Sequence, residues 1–240
     1  MGHHRRRAWL RGLCACLMLV LSAAALAEGA SGFSYTSPGD GKAEITGWRG
    51  GGTAIDVPGE IDGLVVTSIA AGAFAGQALI ENATLPEGLA SLGDGAFADC
   101  VSLETVHVPA GVTEVGENPF AGCVNLRMLD LADAQAYLTL VNGVLFGDGG
   151  RRLVFCPGLL PMERYAVPEG TERIDARAFS HCNRLLSVAL PDSVTEIGPD
   201  AFEGRINLTL VVGRGSAAEA YARANDIKYT YPDAADWRGD

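Results

Sequence analysis

Apolar positions along most of this chain come in short bursts of period two, each closed by a proline and followed by a turn that carries a phenylalanine. One full cycle reads Leu103, Val106, Val108 and Pro109, then Val112 and Val115-Gly116, then Phe120. Ile80/Ala83/Leu85, Leu126/Leu129/Leu131 and Leu185/Val188/Leu190 hold the same places in their own cycles. Alternation of this kind predicts short strands buried on one face. Proline lacks the N–H that a ladder needs, so it ends each strand. Val112-Thr113-Glu114-Val115-Gly116 and Val194-Thr195-Glu196-Ile197-Gly198 predict a second extended piece, with glycine allowing the turn into the next cycle. The Ala-Phe-x-x-Cys stretches predict one helical turn, its Phe lying between the two strand stacks.

The cycle length is fixed. Phe74, Phe97 and Phe120 are 23 residues apart, as are Phe179 and Phe202, and Pro86, Pro109, Pro168 and Pro191 each precede the next Phe by 11. Leu92-Gly93, Val115-Gly116 and Ile197-Gly198 close their units in phase, with Ile69-Ala70 and Ile174-Asp175 as variants. A period in the twenties with a Leu126-x-x-Leu129-x-Leu131 core is the mark of a leucine-rich repeat solenoid. The wording Ala-Phe-x-x-Cys-x-x-Leu, then x-Val-x-x-Pro-x-x-Val-Thr-x-Ile-Gly, resembles the BspA-type leucine-rich repeats of bacterial surface and secreted proteins. The resemblance covers nearly all of the chain after about residue 30. It implies a mostly β repeat solenoid of 23-residue units with N- and C-terminal caps, and a binding role.

Departures from the cycle mark the ends and the middle. Phe33 to Tyr35 and Ala43 to Ile45 predict a hairpin bent at Gly39-Asp40-Gly41, and Ala54-Ile55-Asp56-Val57-Pro58 reads as the first repeat strand. Ile61-Asp62-Gly63 adds residues before the Ile69 closure, so residues 28–69 read as an N-terminal cap. The solenoid runs over 70–212, with an elongated repeat at about 132–175. In that repeat Val144-Leu145-Phe146 and Leu153-Val154-Phe155 flank Gly147 to Gly150 as a second hairpin. Asp148 stands alone there, too few carboxylates for a calcium loop. Ser216, with Glu219 three residues on, opens a short helix by a capping box, and Ile227 to Tyr231 makes a last strand. These form a C-terminal cap over 213–232, ahead of an acidic tail at 233–240.

The first 27 residues stand apart from the fold. Arg5, Arg6, Arg7 and Arg11 precede the apolar run Leu13 to Leu26, and Ala25-Leu26-Ala27 offers the small residues of a signal-peptidase site before Glu28. The expectation is bacterial Sec export and release, giving a secreted or loosely cell-surface protein with no membrane insertion. Without this segment, 14 basic and 29 acidic residues leave a net charge of −15. Nucleic acid and anionic lipid would be repelled, which excludes both as partners. Cys100, Cys123, Cys156 and Cys182 remain; three share one repeat offset, which predicts a buried ladder of thiols packed as core rather than bridges.

Catalytic chemistry has little to stand on. His107 and His181 are the remaining histidines, and His181 beside Cys182 lacks a third group to orient a nucleophilic pair. The chain carries no phosphate-cradling glycine loop and no H-E-x-x-H, and it implies no enzyme, cofactor or metal. Strand alternation instead turns Asn82, Thr84, Thr105, His107, Met128, Asp130, Ser187 and Ala189 outward on one continuous concave ribbon. Such ribbons hold protein or glycan partners, host extracellular matrix among them. The alternatives are a structural spacer in a cell-surface assembly, an enzyme, or adhesion through the terminal Arg238-Gly239-Asp240. Asn82-Ala83-Thr84 and Asn207-Leu208-Thr209 are glycosylation sequons, expected unmodified behind a bacterial signal.

Overall fold

A computed structural model describes residues 27–28, 32–204 and 206–233. The proposed export segment up to residue 26 and the Arg238-Gly239-Asp240 tripeptide lie outside the described residues. The chain winds as a β-solenoid with two parallel layers of short strands. The ribbon layer, most of whose strands end just before a proline, comprises Ala54–Asp56, Asn82–Thr84, Thr105–Val108 and Met128–Leu131 in one sheet, and Arg164–Ala166, Ser187–Ala189, Thr209–Val211 and Lys228–Thr230 in another. The closing layer comprises Leu64–Ile69, Ser91–Leu92 and Glu114–Val115, and then Arg152–Phe155, Arg173–Ile174 and Glu196–Ile197.

The core is a file of rings between these layers. Phe74 stacks on Phe97 at 4.9 Å, Phe97 on Phe120 at 5.9 Å, and Phe179 on Phe202 at 5.0 Å. A ring set on edge closes each end: Phe33 against Phe74 at 6.4 Å and Tyr221 against Phe202 at 6.0 Å. Phe33 comes from the hairpin Phe33–Gly39/Lys42–Trp48, whose second strand pairs with Leu64–Ile69. Tyr221 comes from the helix Ala217–Ala224, where Ser216 Oγ accepts from the Glu219 N–H at 3.1 Å. Both covers keep a bare repeat face from water.

Three hairpin bends use one turn chemistry. Asp40-Gly41, Asp62-Gly63 and Asn142-Gly143 all lie at positive φ, between 50° and 82°, as two-residue turns matched to strand twist demand. The Phe turns differ from the expected helical turn. The residues two before and two after Phe74, Phe97, Phe120 and Phe202 are left-handed: Gly72/Gly76, Gly95/Asp99, Asn118/Gly122 and Asp200/Gly204. A right-handed helical turn cannot pass through such positions. The Phe N–H instead reaches the next unit, as in Phe74 N to Ala96 O and Phe97 N to Pro119 O, both 2.8 Å.

The closing glycines answer to the unit beneath them. A Cβ on Gly93 would lie 2.4 Å from Ala71 N, one on Gly116 2.3 Å from Asp94 N, and one on Gly198 2.4 Å from Ala176 N. Ala70 and Asp175 break the pattern where the preceding layer is a hairpin rather than a regular unit. In the middle, Thr139–Val141, Val144–Gly147 and Arg152–Phe155 form an antiparallel meander. Its two long strands are buried on both faces. Leu145, Val154 and Phe155 pack into the first half of the core, and Val144, Phe146, Leu153 and Cys156 into the second.

Here the backbone ladder gives way to side chains. Arg152 donates to Val115 O at 2.7 Å and Gly116 O at 2.6 Å, and also grips buried Asp175. Asp175 Oδ2 accepts the Asn118 N–H at 3.0 Å, and Glu117 Oε1 accepts the Ala176 N–H at 2.8 Å. Among the described residues no strand pairing joins Met128–Leu131 to Arg164–Ala166, so the ribbon divides.

Candidate binding ribbon

The eight outward residues expected from alternation do face solvent. Asn82, Thr84, Met128 and Asp130 are exposed, and Thr105, His107, Ser187 and Ala189 are partly exposed. They do not form one continuous ribbon. The first six stand on the sheet that ends at Met128–Leu131; Ser187 and Ala189 stand on a second four-stranded sheet that begins at Arg164–Ala166. The reason is the elongated repeat, whose inserted meander interrupts the regular stacking of the strand pairs.

Within each sheet the register is strict. Ala54, Asn82, Thr105 and Met128 form one cross-strand row, and Asp56, Thr84, His107 and Asp130 the next. His107 Nδ1 lies 2.8 Å from Asp130 Oδ2, tying two neighbouring strands on the outer face. Just below, Arg127 pairs with Glu104 across the same strands. The second sheet repeats the arrangement with Arg164, Ser187, Thr209 and Lys228 in one row, then Ala166, Ala189, Val211 and Thr230.

Ala54, Asp56, Arg164, Ala166, Thr209, Thr230 and Lys228 extend the candidate site beyond the sequence-derived residues. The signal was present for most of them. Ala54-Ile55-Asp56-Val57-Pro58 and Arg164-Tyr165-Ala166-Val167-Pro168 alternate into a proline just as the regular units do. The charges of the two faces differ: Asp56 and Asp130 mark the first, Arg164 and Lys228 the ends of the second.

The cysteines lie away from this face. All four are free and buried. Cys100 Sγ donates to Phe74 O and Cys123 Sγ to Phe97 O, both at 3.0 Å, and Cys182 Sγ donates to Cys156 O at 3.1 Å. Cys156 therefore holds a Phe slot in the ladder, and its N–H reaches Ala178 O as Phe74 N reaches Ala96 O. The adjacent Cys100 thiol and burial push the Cys123 thiol up, and the Cys182 thiol and burial do the same to Cys156. A thiol held protonated is a poor nucleophile. Among the described residues no group of three or more His, Cys, Asp or Glu is placed to hold a metal ion. No described helix is long and apolar enough to cross a membrane.

The model of the BspA type leucine rich repeat region matches residues 66–140 and 157–218, in six copies. A leucine rich cell surface protein from Faecalibacterium prausnitzii is 19% identical over 76% of this chain and 75% of that one, with a TM-score of 0.53, a likeness of fold. The T. pallidum leucine-rich repeat protein is 29% identical over 75% of this chain and 69% of its own, with a TM-score of 0.44. None of the curated proteins matches the sequence. With its repeats matched over more than half its length and its solenoid built from those same units, the chain belongs to the BspA-type leucine-rich repeat family.

Proposed function

We propose that this is an exported, non-catalytic binding protein whose outward ribbon rows hold an extended protein or glycan partner, host matrix among the candidates. The observation that carries the reading is the register. Asn82, Thr105 and Met128 sit opposite one another on successive strands, and so do Thr84, His107 and Asp130. Side chains presented from paired strands lose little freedom when a partner binds, so modest polar contacts yield net affinity. Inward positions are taken by core, and the thiols serve that core. The basic and apolar opening of the sequence supports export.

The test is capture of a partner by the chain from Glu28 onward, against a panel of matrix proteins and surface glycans. Thr105→Lys with Asp130→Lys is then measured against the captured partner. Both residues are at the surface, so the fold should survive. Weakened affinity supports the ribbon. Unchanged affinity, with loss on deletion of residues 233–240, would assign the site to the tail and its Arg238-Gly239-Asp240.

A further inference from the structure

The second ribbon sheet differs from the first in a way that selects a ligand. One row carries hydrogen-bond donors throughout: Arg164, Ser187, Thr209 and Lys228, in Cα register across four parallel strands. Cations stand at its two ends and hydroxyls between them. Beside it runs a floor of small side chains, Ala166, Ala189 and Val211. Two adjoining hollows of about 230 and 310 Å³ share Ala166 and Ala189, so the floor is a groove. Glu169 and Asp192 line its far side. In a chain with so large an excess of acid, the two cations of this row stand against the general charge; Arg164 lines the groove, and Lys228 stands beyond it on the last strand.

We propose that this groove binds an extended acidic peptide, with carboxylates four residues apart directed at Arg164 and Lys228. The inference rests on the ribbon being the binding face. Three inter-strand steps of about 4.8 Å place the two cations about 14 Å apart, while positions i and i+4 of an extended strand lie about 13 Å apart on one side. The intermediate i+2 side chain then lies over Ser187 and Thr209, which offer hydroxyls. The small floor lets the peptide backbone approach the sheet, and Glu169 with Asp192 along its far side repels carboxylates turned that way. No aromatic side chain stands in these two rows, so the groove has no stacking platform for a sugar ring. The first sheet, with Asp56 and Asp130 outward, repels the same ligand.

The experiment uses the chain from Glu28 and a fluorescein-labelled seven-residue serine peptide bearing glutamates at its second and sixth positions. A control peptide of equal charge carries them at adjacent positions, which point to opposite sides. Fluorescence anisotropy at low ionic strength is expected to show binding of the first peptide. Arg164→Glu with Lys228→Glu should weaken it about tenfold or more, while Glu87→Lys, exposed on a turn away from both ribbon sheets, should leave it no weaker. Arg164→Gln with Lys228→Gln should give a smaller loss, and the control peptide should bind less well than the first. No binding of the spaced peptide, or equal binding of both peptides, overturns the proposal. Polygalacturonate binding that depends on Arg164 and Lys228 while the peptide fails also overturns it, in favour of an acidic glycan. Such failures leave the ribbon reading to its own test, because the Thr105/Asp130 substitutions report on the other sheet.

Discussion

Arg152 holds Asp175 through two parallel hydrogen bonds, Nε to Oδ1 at 2.8 Å and Nη2 to Oδ2 at 2.6 Å. The carboxylate is fully buried and the guanidinium nearly so. The same guanidinium serves the carbonyl of Val115, whose equivalent Leu92 O accepts from the next closing strand at Gly116 N, and that of Gly116, whose equivalent Gly93 O accepts from its own turn at Ala96 N. One side chain thus stands in for a missing rung of the closing ladder and neutralises a buried charge. Arg173 adds a second contact to Asp175 at 3.3 Å and pairs with Glu117.

Replacing Arg152 with Met should therefore cost about 3–5 kcal/mol, because it strands a buried carboxylate. Urea denaturation of the Glu28-onward chain is the measurement. The double variant Arg152→Met with Asp175→Leu removes the uncompensated charge and should be more stable than the single variant. A single variant as stable as its parent would show that the joint does not depend on this pair.

The closing glycines give a second expectation. Gly198→Ala drives a Cβ to 2.4 Å from Ala176 N, backbone that cannot swing aside. The cost should be about 1–3 kcal/mol, as for other overpacked sites. Ala70→Gly, at the equivalent place above the capping hairpin, should cost about 1 kcal/mol or less, through unfolded-state freedom alone. Equal effects at the two positions would contradict the stacking explanation.

Much of this architecture can be read in the sequence. Repeat phase, strand edges, both caps and the Asp-Gly and Asn-Gly bends follow from local period and turn residues, which act within a few positions. The division of the ribbon is not legible in that way. It depends on how the meander from Thr139 to Phe155 docks between two stacks, a long-range matter of fit. One trace was visible: Asp175 stands where Gly93, Gly116 and Gly198 stand in regular units. The helical turn expected at Ala-Phe-x-x-Cys fails for a local reason, the left-handed residues flanking the Phe: Gly, Asp or Asn on both sides of Phe97 and Phe120, and Arg177 before Phe179. Of the candidate site, the outward set was legible because period two fixes which face a side chain takes; Arg164 shows the same alternation before Pro168, whereas Thr209 and Lys228 lie beyond the last regular repeat, with no Phe turn after them.

The thiol ladder predicts inertness. Cys100, Cys123, Cys156 and Cys182 are buried, and Cys123 and Cys156 are held protonated by a neighbouring thiol and burial. In the chain from Glu28 onward, an aromatic disulfide reagent at neutral pH should find no reactive thiol in the folded state and four after denaturation. If denaturant releases none, adjacent cysteines are oxidised to disulfides and the ladder is a set of bridges.

The C-terminal cap should be acid-sensitive through Glu219. The Gly215 N–H and the Tyr231 hydroxyl, both donating to its carboxylate, hold it below the usual carboxylate range, with Arg223 adding to the effect. A carboxyl lowered on folding stabilises fully above its unfolded value, and that contribution disappears as pH falls through the lowered one. The stability gap between the parent and Glu219→Gln should therefore narrow from pH 6 to about pH 3. A gap independent of pH would mean that Glu219 acts by shape alone.

The central claim is that partners meet the ribbon rows rather than the turns or the tail. Hydroxyl-radical footprinting of the free protein and of its complex with a captured partner tests this directly, since Met128, 55% exposed, and His107 both report oxidation from the outer face. Protection of Met128 and His107 on binding, with Leu79 and Ile206 on the turns oxidised as before, is the predicted result. Protection confined to the turns or to residues 233–240, with Met128 and His107 unchanged, would contradict it.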